Sequence, residues 1–192
     1  MHVVSTRDVI LDTAEALFAE RGYRGLSMRE LAEGAGVSKA NLYHHFAGKR
    51  DLYRHVLERA LNTLELTLTQ AAASEGTTRE RLTRVTDASL NLLQHNRPLV
   101  FFFMREIGSF EREVRDLVIQ HWEGMLEPIE RVIEDGIARG ELHPADPRLT
   151  ALSVAVMLRG LITLQLVVGE TKLDPDLADH TLDVLFEGIG AR

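Results

Sequence analysis

The stretch from Gly34 to Leu52, GAGVSKANLYHHFAGKRDL, restricts this chain more than any other. Gly36 supplies the backbone freedom that a tight turn between two helices needs. Ser38 stands where a residue caps the next helix. That helix is short, and Leu42 and Phe46, four apart, share its inward side. Lys39, Ala40, Asn41, Tyr43, His44 and His45 point the other way. These are phosphate donors and small base-edge readers rather than catalytic groups. The pattern is the second half of a helix-turn-helix, followed by the start of a supporting helix.

The segment before it fits the same reading. Ile10, Ala14, Leu17 and Phe18 form an apolar stripe on a helix from about Thr6 to Arg21, with Ser5 and Asp8 at capping-box spacing. Gly22 and Gly25 mark its end and a turn. Ser27 with Glu30 is a second capping box, opening a helix from Met28 to about Glu33 on which Ala32 is small enough for a close crossing.

Past Gly48, a helix over residues 49–73 carries Leu52, Val56, Leu57, Ala60, Leu64 and Leu68 on one side. Lys49 and Arg50 occupy its first turn, where the helix dipole disfavours cations, which points to an outside anion such as a phosphate. A helix running to about His95 keeps Leu82, Val85, Leu92 and Leu93 inside. Pro98 opens another, carrying Phe101 to Met104. A long helix spans Glu111 to Arg139, with Pro128 expected to kink or interrupt it. Pro147 and Pro175, preceded by Asp146 and Asp174, open two final helices. No segment alternates as a strand does. The expected fold is all-α with about nine helices: residues 1–50 as a three-helix unit, residues 51–192 as a second helical unit, and the 49–73 helix connecting them.

Leu149–Val168 is long and apolar enough to raise a membrane span, but Arg159 lies at its middle, where lipid makes a charge costly. A helix apolar on nearly every face needs cover on nearly every face. The last helix, with Leu177, Leu182, Val184, Leu185, Phe186 and Ile189, has the same character. Two such helices from each of two copies would form a four-helix homodimer interface.

A net charge of -7 looks wrong for a nucleic-acid binder. Its distribution answers part of the objection. Residues 1–55 hold 8 Lys/Arg against 7 Asp/Glu, the remainder 14 against 22, and no acid falls between Glu33 and Asp51. With no cysteine, disulfides and thiolate zinc sites are excluded. His44 and His45 are adjacent, not three or four apart, so a metal site is not expected, and neither is a cofactor. The N-terminus lacks signal-peptide patterning, since Asp8, Asp12 and Glu15 interrupt it, and a cytoplasmic location is expected.

Residues 5–53, with ILDTAEALFAERGYRGLSMRELAEGAGVSKANLYHHFAGKRDLY, resemble the N-terminal DNA-binding domain of the TetR family of transcriptional regulators. Residues 56–192 resemble it in helix count and order. The resemblance implies a homodimer that represses promoters at a palindromic operator in double-stranded DNA and lets go when a small-molecule effector fills a pocket in the second domain. It implies backbone contacts for Tyr43 and His45.

The chemistry of the other residues assigns Ser27 and Arg29 to the start of the preceding helix, Arg29 being able to reach a phosphate or to enter the groove and pair with guanine. Ser38 can cap and donate to phosphate. Lys39, Ala40 and Asn41 meet base edges. His44 and Lys49 are read as phosphate clamps or groove-wall contacts.

For the effector, Phe102, Phe103, Met104, Trp122, Met125, Leu126, Met157, Leu161 and Gln165 are the expected lining, suited to an apolar or amphipathic molecule. The same residues could instead simply pack a core. A ligand-binding or protein-interaction module without DNA binding, and a transcriptional activator, are the alternatives. No hydrolase elbow, phosphate loop or dinucleotide fingerprint supports an enzyme.

Overall fold

The computed structural model describes residues 5–95, 113–168 and 177–189. Within them are eight helices: α1 (Thr6–Arg21), α2 (Met28–Gly34), α3 (Lys39–His45), α4 (Lys49–Ala72), α5 (Thr78–His95), α6 (Glu113–Ala138), α7 (Pro147–Val168) and α8 (Leu177–Ile189). The expected helix with Phe101 to Met104, and Pro175, lie outside the described residues. The chain forms two compact units, residues 1–62 with 96–118 and residues 63–95 with 119–192, and α4 and α6 each contribute to both.

The first unit is built on short helices with specific ends. Ser5 Oγ accepts the Asp8 N–H at 3.1 Å and donates to the Asp8 carboxylate at 2.6 Å. Ser27 and Glu30 close the full reciprocal box on α2. Gly22 ends α1 at φ 72°, and Gly36 makes the α2–α3 turn at φ 65°, both in the left-handed region that favours glycine.

Ile10, Ala14 and Phe18 are buried as the stripe predicts, together with Leu11, whereas Leu17 is only half-buried. Leu17 lies instead against Gly34, where an added Cβ would stand 2.8 Å from Leu17 Cδ1. Gly34, at the end of α2, thus joins buried Ala32 in permitting the close α1–α2 crossing. Phe18, Tyr23 and Tyr53 form an aromatic trio with centroids 4.8–6.1 Å apart. Arg59 ties α4 to α1 through Asp12 at 2.6 Å and Glu15 at 2.5 Å. Burial disfavours its charge, but those two carboxylates outweigh it and hold the guanidinium pKa up.

The second unit buries Leu68, Leu82, Val85, Ile129, Val132, Ile133, Val154, Leu158 and Leu182 in one core. α5 packs against α7 and α8. Its buried hydroxyls, Thr86 and Ser89, return their hydrogen bonds to the Leu82 and Val85 carbonyls at 2.8 and 2.6 Å. Buried Arg81 donates to the Ala72 carbonyl at 2.9 Å and to Asp135 at 2.8 Å.

Helix α6 runs through Pro128 without interruption. Pro128 has no N–H to give the Gly124 carbonyl one turn back, so the helix continues with that bond missing. Pro147 opens α7 as expected, capped by Asp146, whose carboxylate accepts the Leu149 N–H at 3.0 Å.

Candidate nucleic-acid interface

Helix α3 has only seven residues, too few to persist by propensity. Its position is set at both ends and from below. Ser38 Oγ accepts the Asn41 N–H at 3.1 Å, and buried Leu42 and Phe46 seat it on the core. Phe46 in turn meets the His55 ring at 5.5 Å, and the Arg7 guanidinium lies 5.3 Å from its centroid. The outcome is a short rigid helix with one polar face.

Lys39, Ala40, Asn41, Tyr43 and His44 are exposed together on that face. Lys39 Nζ lies 5.9 Å from the Tyr43 ring centroid, an i,i+4 cation–π contact that holds both side chains outward. His45 is half-buried, its ring 5.3 Å from His44 and 6.4 Å from Phe46. It therefore combines partial packing with an accessible edge.

Arg29 is exposed on α2, but its Nε donates to Glu33 Oε1 at 2.7 Å. That hydrogen bond, with the Glu33 charge, raises the guanidinium pKa. Ser27 spends its hydroxyl on the capping box. Lys49 is more committed than the sequence suggests. Its Nζ donates to the Tyr23 carbonyl at 2.9 Å and the Leu26 carbonyl at 2.7 Å, and sits 4.3 Å from the Tyr23 ring centroid. Its place in the first turn of α4 thus has an internal cause, the carbonyls of the α1–α2 loop. Two of its three N–H donors are used there. The dipole of that turn is served by Asp51, which accepts the Ala47 N–H at 3.0 Å.

Sequence reasoning missed the partner of Arg29. The i,i+4 spacing to Glu33 was a readable signal. The two-carbonyl seat of Lys49 was not, because its acceptors lie 26 and 23 residues away.

In the second unit the expected effector lining divides. Phe102, Phe103 and Met104 lie outside the described residues, and Gln165 is placed on α7 with its side chain outside them. Leu126 belongs to the core, with Met125 packed against it. Leu161 is buried, and Trp122 and Met157 are half-buried. Beside Trp122, His121 Nδ1 meets Glu65 Oε1 at 2.8 Å, both side chains largely buried. Gly124 makes room for this carboxylate: an added Cβ would stand 2.5 Å from Glu65 Oε1. Among the described residues no group of three or more His, Asp or Glu could hold a metal ion, and no helix is long and apolar enough to cross a membrane.

The model of bacterial regulatory proteins of the tetR family matches residues 10–56, and that of the tetracyclin repressor-like C-terminal domain matches residues 75–165. Over 145 residues the chain is 30% identical to the HTH-type transcriptional repressor KstR2 of Mycobacterium tuberculosis, covering 73% of this chain and 72% of that one. The crystal structure of the TetR family regulator PfmR from Thermus thermophilus superposes with a TM-score of 0.75 at 27% identity, covering 95% and 96% of the two chains. FadR from Bacillus subtilis, solved in complex with stearoyl-CoA, superposes at 0.81 with 23% identity, covering 94% and 98%, a likeness of fold.

Proposed function

The chain belongs to the TetR family of DNA-binding transcriptional regulators, and we propose that it is a homodimeric repressor released from a palindromic operator by a small apolar or amphipathic molecule. It is a regulator and not an enzyme. The observation that carries the DNA-contact assignment is the Ser38-capped α3, presenting Lys39, Ala40, Asn41 and Tyr43 in a stretch without acids.

In this reading Lys39, Ala40 and Asn41 meet base edges, Asn41 being suited to adenine and Ala40 to a thymine methyl. Tyr43, His44, His45 and Ser38 hold the phosphate backbone, as does the remaining N–H of Lys49. Arg29 and Ser27 reach the duplex from the start of α2. One seven-residue helix reads too little sequence alone, so two copies bind half-sites about 34–36 Å apart.

The face that supports a dimer lies on the last two helices. Leu149, Ser153, Val156, Gly160 and Leu164 are all exposed on α7, spaced 4, 3, 4 and 4 apart along one side, and Val184 is exposed on α8. An added Cβ at Gly160 or Gly188 would meet nothing within 4 Å, which leaves room for a second backbone. A large apolar stripe of this kind on a water-facing helix is what an isologous interface covers.

For the effector, Trp122 and Met157 offer half-buried apolar contacts, and the stearoyl-CoA held by FadR is a large amphipathic molecule. An operator in chromosomal DNA implies a cytoplasmic location. Activation in place of repression depends on operator position and is an outcome of the test below.

Selecting genomic fragments with the purified protein and footprinting those retained is the deciding experiment. A short palindrome is expected, with binding that weakens as salt rises. Tyr43→Ala should abolish retention, and Val156→Glu should yield a monomer by sedimentation. A protein that retains no fragment at low salt, or stays dimeric as Val156→Glu, sinks the corresponding part.

A further inference from the structure

We propose that Glu33 is a latch on Arg29, keeping the guanidinium off duplex of arbitrary sequence and so sharpening the preference for operator. The inference rests on DNA binding through α2 and α3.

The latch is built from four observations. Met28, Leu31 and Ala32 turn α2 toward the core, so Arg29 and Glu33, four apart, share its outer side, with Arg29 Nε and Glu33 Oε1 at 2.7 Å. The other acid of α2, Glu30, is already taken by the Ser27 cap and by Arg21 at 3.7 Å. Glu33 also stands at the inter-helix turn, its carbonyl accepting the Gly36 N–H at 3.2 Å, two residues before the Ser38 cap of α3. No acid follows until Asp51. Glu33 is therefore the acid on the reader's approach, and its carboxylate is spent on the one arginine of α2.

A phosphate offers Arg29 the same kind of charged oxygen acceptors that Glu33 already supplies. Exchange between the two gains little, and it leaves a bare carboxylate facing a polyanion. A guanine offers O6 and N7 together, a bidentate acceptor that outweighs an exposed i,i+4 ion pair by about tenfold. The pair thus opens for the base and stays shut on the backbone. Specificity of this kind comes from weakening the wrong complex.

The test uses the full chain and a short duplex of random sequence, so no operator is needed. Affinity is measured across a salt series for the wild type, Glu33→Gln, Arg29→Ala and the double variant, with thermal melting to confirm that all four fold alike. With the latch, Glu33→Gln recruits Arg29 to a phosphate. The slope of log K against log salt steepens by about one, and low-salt affinity rises about three- to tenfold. The double variant, read against Arg29→Ala, shows no steepening. An unchanged slope in Glu33→Gln overturns the proposal. So does a steepening that persists without Arg29, since Glu33 would then act only as a repelling charge. If the wild type binds no duplex at low salt, the assignment of the interface itself falls, and the latch with it.

Discussion

The two units solve the same problem, holding helices in place, by different means. In the first, α2 and α3 have seven residues each, below the roughly 12–15 that persist in isolation. Each is stopped and started by a neighbour in sequence: Ser27 with Glu30, Ser38 with Asn41, and Gly36 at φ 65°. In the second, helices of 18, 26 and 22 residues are joined by groups far apart in the chain. Arg81 reaches Asp135, the Thr78 N–H reaches Glu141 at 2.6 Å, Arg79 reaches Asp183, and Arg148 joins α7 to α6 through Glu123 and Glu130. Short helices that must present a polar face bury only a few residues each, so local caps add to that burial in holding them. Long helices can bury a full stripe, and their ionic contacts set register between elements.

The largest effect should follow from Phe46→Ala, which empties a fully buried ring site beneath α3. A loss of about 3–5 kcal/mol is expected in chemical denaturation, falling on the transition of the first unit. Equal shifts of every transition would show that the units unfold as one and that the contrast is overdrawn. Arg81→Ala tests the second unit. It leaves the Ala72 carbonyl without its donor and Asp135 without its partner, and a loss of about 2 kcal/mol is expected. A negligible change would mean that α5 is held by its apolar stripe alone.

Ser38→Ala removes the cap of α3. About 1 kcal/mol should be lost in melting experiments, together with a drop in duplex affinity, because the same helix is the one proposed to meet the DNA. An intact affinity would separate capping from reading.

The smallest effect concerns acid. Hydrogen bonds from Ser27, its side chain first and its backbone next, lower the Glu30 pKa below the ordinary 4.5. A lowered folded pKa means stability present above 4.5 and lost as pH falls through the lowered value. Glu30→Gln should therefore be less stable than the wild type near neutrality and converge with it in strong acid. Glu80, lowered by the Thr77 backbone and side chain, should behave the same way in the second unit. A difference between the two would show that local caps matter only in the reader.

Legibility followed the same division. The caps at Ser5, Ser27 and Ser38, the Gly36 turn, and buried Leu42 and Phe46 were readable, because each depends on residues within a few positions. The exposed group Lys39 to Asn41 with Tyr43 was readable as the remainder of a seven-residue helix whose inner side was already assigned. Lys49 was legible in location but not in its contacts, since its acceptors come from another segment. Tyr53 went unnoticed, because its burial depends on Phe18 and Tyr23 arriving from α1 and the loop after it. Pro128 was expected to kink or break α6. The helix runs on, with buried Ile129, Val132 and Ile133 packing the turn that follows.

By itself the sequence determined that this chain is helical, that its N-terminal part holds a helix-turn-helix, and which side chains the second helix of that motif exposes. Those are matters of period, cap and turn, settled within one or two helical turns. Only the tertiary structure decided that Lys49 braces the α1–α2 loop, that Leu126 and Met125 pack the core, and that His121 meets Glu65 across Gly124. Only there, too, did the apolar residues of α7 divide into a buried side and an exposed one. A helix apolar on nearly every face carries no internal mark of which face its own chain will cover. The neighbours that cover it must first be in place.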